Sequence, residues 1–182
     1  PIGPTSYGDS PYQSFSTYAG NPYFISLEEL IEQGLLTEKE CDKVDFGDKI
    51  DKVDYEKLYN GRFKLLKKAY KRSNIREREE FKKFKDENQY WLNDYAMFMA
   101  IKERFKGQSF DNWAEDIKLR WGYSMEYYQN ELKEEIEFYE FVQYEFYRQW
   151  YKLKKYANDN GVKIIGDIPI YVAYDSADVW SH

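Results

Sequence analysis

Histidine and cysteine are nearly missing from this sequence: one of each occurs, His182 and Cys41. A lone cysteine cannot make an internal disulfide or a cysteine-pair zinc site, and it fits a reducing, cytoplasmic setting. A lone histidine at the last position argues against Ser-His-Asp or Cys-His catalysis within the chain. Hydrolytic or transfer chemistry is thereby left to carboxylates. A basic excess is also absent, since 33 acidic residues outnumber 27 basic ones for a net charge of −6. Nucleic-acid binders need cations to neutralise phosphates, so no nucleic-acid partner is expected. The Lys/Arg-rich stretch from Lys64 to Arg78 reads as a solvated helix face. The longest run without a polar group, Ala96 to Ile101, is six residues. A membrane-spanning helix needs roughly 20, so no membrane partner is expected either. No P-loop, dinucleotide glycine motif, H-E-x-x-H or EF-hand loop occurs, so nucleotide and dedicated-metal roles lack support. An initiating methionine is missing too, and the turn-like start at Pro1 reads as a piece of a longer polypeptide.

Aromatic residues, in contrast, reach 20% of the chain, with 19 Tyr, 12 Phe and 5 Trp. Most must be core, because burying large rings drives folding. Four of the five prolines lie between Pro1 and Pro22. That stretch reads as an extended, ordered loop, its turn residues interleaved with Tyr7, Tyr12, Tyr18 and Tyr23.

Helices are expected next. Ser26-Leu-Glu-Glu29 and Thr37-Glu-Lys-Glu40 are capping boxes that open short helices near 26–33 and 37–43. Asp54 caps a third helix running to about Ser73. A charged helix over 75–87 and an apolar-faced one over 88–105 follow, the latter ended by Gly107. The longest helix spans about 125–159. Its stripe of Tyr128, Leu132, Ile136, Tyr139, Val142, Phe146, Trp150, Leu153 and Ala157 steps by three or four residues throughout. Asn160-Gly161 stops it, and 162–167 then reads as a short, buried, β-branched strand. A helix feeding a strand through a tight turn is half of a βαβ unit and implies a parallel sheet. One strand cannot make a sheet, so it must join strands supplied from elsewhere.

Asp167 ends that strand, the edge at which parallel α/β architectures place ligands. Asp175, Asp178 and Trp180 follow closely. Together they could form a sugar pocket, carboxylates bridging hydroxyls and the indole covering a pyranose face. Alternatively, Asp175 caps a short helix at 176–180 and Trp180 packs beneath it. The loop from Tyr7 to Ser14 offers hydroxyls, an amide and phenols, a mixture suited to neutral polyols.

Two long segments resemble one family. Pro1-Ile-Gly-Pro-Thr-Ser-Tyr-Gly-Asp-Ser-Pro-Tyr-Gln-Ser-Phe-Ser, continuing to Ala19-Gly-Asn-Pro-Tyr23, is similar to the opening loop of amylomaltases, the 4-α-glucanotransferases of glycoside hydrolase family 77. Ile164-Ile-Gly-Asp-Ile-Pro-Ile-Tyr-Val-Ala, with Asp175-Ser-Ala-Asp-Val-Trp180, resembles their third-strand motif. Trp91 to Ala100 and Gln143 to Trp150 are also family-like.

The resemblance implies an α/β class: part of a TIM (β/α)8 barrel with a large helical insertion, this stretch being predominantly α-helical. Residues 1–25 would form a barrel-mouth loop after strand two, 26–123 the insertion, and 124–182 a barrel helix, strand three and the loop after it. It further implies transfer of α-1,4-glucan segments from maltodextrins to maltodextrin or glucose acceptors, by a retaining mechanism and without a cofactor. Asp167 and Tyr12 would line the cleavage subsite, Ser10 would make a neighbouring contact, and Tyr7 would serve a more distant glucan groove. The family's R-x-D-H-x-R-G, A-E-D-L-G and H-D-N segments, which carry its nucleophile, acid/base and third aspartate, do not occur in these 182 residues. The chain would therefore pair with a remainder of the barrel. A non-catalytic maltodextrin-binding module is the other reading.

Overall fold

Polar residues begin helices where the sequence expects them. The Ser26 hydroxyl accepts the Glu29 N–H at 3.1 Å and opens α1, Leu27–Glu32. Glu40 accepts the Thr37 N–H at 3.2 Å at the start of α2, Glu38–Cys41. Asp54 accepts the Lys57 N–H at 3.1 Å ahead of α3, Tyr55–Arg72. Each contact satisfies a backbone group that the first helical turn leaves without a partner. The remaining helices are α4, Glu79–Arg104; α5, Glu115–Lys118; α6, Gly122–Glu131; α7, Lys133–Asp159; and α8, Ala177–Ser181. This computed structural model describes residues 1–49, 51–167 and 171–182, with backbone alone at Tyr7.

Two expected helices are one. Nothing between Glu79 and Arg104 breaks the backbone, since no proline or glycine falls there. The change from charged to apolar composition near residue 88 alters which faces are solvated, not the helical path. At 26 residues, α4 is about 39 Å long. The expected single helix over 125–159 is instead divided. Leu132 leaves helical dihedrals at φ −108°, ψ 25°, and the turn directs α6 against both α4 and α7.

The core forms where α4 crosses α7. Leu92, Ala96, Phe98 and Ile101 of α4 meet Phe138, Phe141, Val142 and Phe146 of α7. Leu65, Leu66 and Ala69 of α3 close another side. Edge-to-face rings recur, as with Phe81 and Tyr144 at 5.6 Å, and Tyr70 and Phe138 at 5.8 Å, a geometry that aligns a positive ring edge with a negative face. The middle of α7 is buried on every side from Phe138 to Phe146. The expected stripe therefore describes only part of what that helix buries, and it ends early: Leu153 is exposed.

The strand expected over 162–167 does not form among the described residues, which hold no strand, only an isolated bridge between Thr5 and Ser14. Residues 162–167 are exposed rather than buried, Ile165 at 95%. A β-strand needs a neighbour to accept its hydrogen bonds, and this segment lies beside none. Gly161 ends α7 as expected: at φ +75° it adopts the left-handed backbone while the Val162 N–H reaches back to the Ala157 carbonyl at 2.9 Å. No helix among the described residues is long and apolar enough to cross a membrane.

Candidate functional site

The first 26 residues are held to α7 by two glutamines. Gln143, fully buried, accepts the Gly20 N–H at 2.7 Å and donates to the Gly20 carbonyl at 3.0 Å. Gln149 does the same for Ser26, at 2.7 and 3.3 Å. A side-chain amide matches a backbone amide donor for acceptor, so each clamp satisfies both groups. Gly20 is required by contact as well, because a Cβ there would lie 2.0 Å from the Phe146 ring.

Beyond this anchor the loop folds on itself. The Ser6 N–H donates to the Gln13 carbonyl at 2.9 Å, and the Gln13 N–H to the Ser10 carbonyl at 3.2 Å. The Thr5 hydroxyl donates to Asp9 at 3.0 Å. Tyr12 emerges 56% exposed, and its phenol donates to Oδ2 of Asp167 at 3.3 Å. Two residues singled out from the sequence thus meet, 155 positions apart. Ser10 adjoins them through its own loop: its hydroxyl oxygen accepts the Tyr12 N–H at 3.3 Å. Tyr7 lies in a 3-10 turn, Tyr7–Asp9; its side chain lies outside what is described, as does the motif segment 168–170.

The later aspartates take other partners. Asp175 pairs with Lys102 and accepts the Phe110 N–H at 3.1 Å. Lys102 itself is 7% exposed, between the rings of Phe15 and Phe98. Asp178 accepts the Thr17 N–H at 2.7 Å and the Thr17 hydroxyl as well. The cap of α8 is Ser176, which accepts the Val179 N–H at 3.2 Å, and not Asp175. Asp175 is drawn away by the buried ammonium, a stronger partner than a helix N–H. Trp180 is 4% exposed and donates to the Ile117 carbonyl at 3.1 Å. It packs rather than offering a face to a sugar.

A cleft of about 420 Å³ opens beside the loop, lined in part by Asp9, Asn21, Tyr23, Tyr55, Tyr59 and Phe63. Burial, reinforced by Asp9, pushes the Tyr23 phenol up to about 12, and burial also raises Tyr59. Both remain O–H donors across the physiological range. Ring faces beside fixed donors and acceptors suit a polyhydroxylated neutral ligand. Tyr55 and Tyr59 belong to α3. Their i, i+4 spacing just after the Asp54 cap places them on one face; that this face meets the loop depends on the tertiary fold. Among the described residues, no group of three His, Cys, Asp or Glu side chains could hold a metal ion.

The sequence model of one family, described as 4-alpha-glucanotransferase (glycoside hydrolase family 77), matches residues 1–182. A 4-alpha-glucanotransferase of Clostridium butyricum is 50% identical over 182 residues, all of this chain and 37% of that protein. One from Streptococcus pneumoniae is 47% identical over 184 residues, covering all of this chain and 36% of its own length. Among solved structures, an amylomaltase from Streptococcus agalactiae in complex with acarbose superimposes with a TM-score of 0.92 at 41% identity, covering all of this chain and 37% of that one. The chain thus spans little more than a third of the proteins it matches.

Proposed function

This chain belongs to the 4-alpha-glucanotransferase family, glycoside hydrolase family 77, and from that premise we propose that it supplies sugar-binding groups to an enzyme transferring α-1,4-glucan segments between maltodextrins. The observation that carries this reading is the meeting of Tyr12 with Asp167 on an exposed rim. A carboxylate accepts hydrogen bonds from adjacent sugar hydroxyls, and a phenol adds a donor, an acceptor and a ring face. Because the bond between them is exposed, a sugar can take its place without opening the core. The acarbose bound by the Streptococcus agalactiae amylomaltase agrees with an α-glucan ligand.

In this reading Asp167 holds the sugar and does not react with it. A retaining transfer requires one carboxylate as nucleophile and a second as acid, then base. The family segments that carry those groups do not occur in these 182 residues, so they would come from elsewhere in the polypeptide. Residues 1–25 would then be a barrel-mouth loop, 26–123 a helical insertion, and 124–182 the third helix and strand of a TIM barrel. The exposed Ile164 and Ile165 would acquire neighbours from the other strands. A cytoplasmic location belongs to the same proposal.

Incubation with maltotriose tests it. The complete polypeptide is expected to release glucose and longer maltodextrins, and the 182-residue stretch alone to release neither. Turnover by the stretch alone refutes the division of labour. Binding of maltoheptaose by the complete polypeptide without any transfer would favour a non-catalytic maltodextrin-binding module.

A further inference from the structure

The stretch from Tyr174 to His182 is fastened to the helical body on one side. Asp175 engages Lys102, Tyr174 stacks on Phe110 with centroids 5.4 Å apart, and Trp180 lies among Phe98, Trp113 and the Ile117 carbonyl. On its other side it grips the first loop. The Ala177 N–H donates to the Phe15 carbonyl at 2.8 Å. One residue later, a single carboxylate oxygen of Asp178 receives both the N–H and the hydroxyl of Thr17. Thr17 is exposed, and water could satisfy the same groups. The contact therefore does little for stability that solvent would not do; what it fixes is position. From Thr17 back toward Tyr12 the chain has little freedom: the buried Ser14 hydroxyl donates to the Ser16 carbonyl at 2.7 Å, and Ser14 and Ser16 are both buried.

We propose that Asp178 is a positioning residue: by holding Thr17 it fixes the loop bearing Tyr12 to the helical body, and so sets where Tyr12 stands toward Asp167. This inference rests on the glucanotransferase reading for its effect on turnover, but not for its effect on Tyr12.

Two measurements on the full-length protein separate those parts. In the first, 3-fluorotyrosine is placed at position 12 and its fluorine resonance is followed. Asp178→Ala is expected to move the resonance toward that of a free tyrosine, and Asp178→Asn, which keeps an acceptor oxygen for Thr17, to restore most of it. An unmoved resonance in Asp178→Ala overturns the proposal. In the second, maltotriose kinetics are measured for Asp178→Ala, Tyr12→Phe and the double variant. Misplacement of a binding group costs on the order of 10–100-fold in kcat/KM. The double variant is expected to lose little more than the worse single variant, with the unfolding midpoint held; fully additive losses overturn the proposal. Thr17→Val, which deletes only the hydroxyl, carries both tests if Asp178→Ala does not fold. A moved resonance in a protein without transfer activity would sink the glucanotransferase reading while leaving the positioning role standing.

Discussion

Tyr12 and Asp167 share one hydrogen bond of 3.3 Å across 155 residues, on a surface open to solvent. Because both are exposed, neither supports the core, and their proposed role in binding can be tested apart from stability. Tyr12→Phe and Asp167→Asn in the full-length protein should each weaken maltoheptaose binding by roughly 5–15-fold, the effect of losing one hydrogen bond of about 1–1.5 kcal/mol. Stability should stay within about 0.5 kcal/mol, as for other surface changes. Calorimetric titration and thermal unfolding read the two effects; equal affinity in both variants would remove these residues from the site.

Gln143 behaves oppositely. Its amide satisfies the Gly20 backbone inside the protein, where an unpaired N–H or C=O keeps its full desolvation cost. Gln143→Ala should destabilise by about 2–4 kcal/mol, combining that cost with a cavity. Urea denaturation measures it, and a loss below that range would mean that water enters to replace the amide.

Gly20 gives a test of close packing. A methyl group at this position would overlap the Phe146 ring, so Gly20→Ala should cost about 1–3 kcal/mol by overpacking. Adding Phe146→Leu should return part of the loss, since the smaller side chain vacates the overlap. Denaturation of the four proteins in this cycle checks it, and additive losses would count against a direct clash.

Glu140 links stability to pH. Burial pushes its carboxyl up, against the downward pull of the Lys85 ammonium 2.7 Å away. A raised folded-state pKa means that the folded protein holds the proton more tightly. Its contribution is present below the unfolded value, about 4.3, and is lost as pH rises through the higher folded value. Glu140→Gln should therefore gain stability relative to the unaltered protein as pH rises from 4 to 7, on the order of 1 kcal/mol at most. Lys85, with its side chain 36% exposed, can turn to water. Thermal midpoints of both proteins across that range give the difference, and a gain that grows on acidification would reverse the assignment.

Local chemistry in this chain was legible before its packing was. The caps at Ser26 and Asp54 and the stop at Gly161 follow from groups adjacent in sequence. The strand expected at 162–167 does not form among the described residues because β-branched composition marks a segment that can pair, while pairing needs a neighbour. The break at Leu132 carries no glycine or proline to announce it. The burial of Glu140, Gln143 and Glu145 hides from periodicity, which expects polar residues of a helix to face water. The meeting of Tyr12 with Asp167 was anticipated through the family resemblance, not from spacing. The cleft lined by Tyr23, Tyr55 and Tyr59 has no signature in the sequence, since its walls come from a loop and a helix that only the tertiary fold brings together.

The grip of Asp178 on Thr17 spans 161 residues, and this has a consequence during synthesis. A ribosome adding 5–20 residues per second leaves Thr17 waiting roughly 8–32 s for this partner. Until Asp178 emerges, Thr17 lacks the carboxylate that fixes its place, although Gln143 already holds Gly20. Nascent chains arrested ahead of that residue should be cleaved between residues 5 and 19 faster than chains released beyond it.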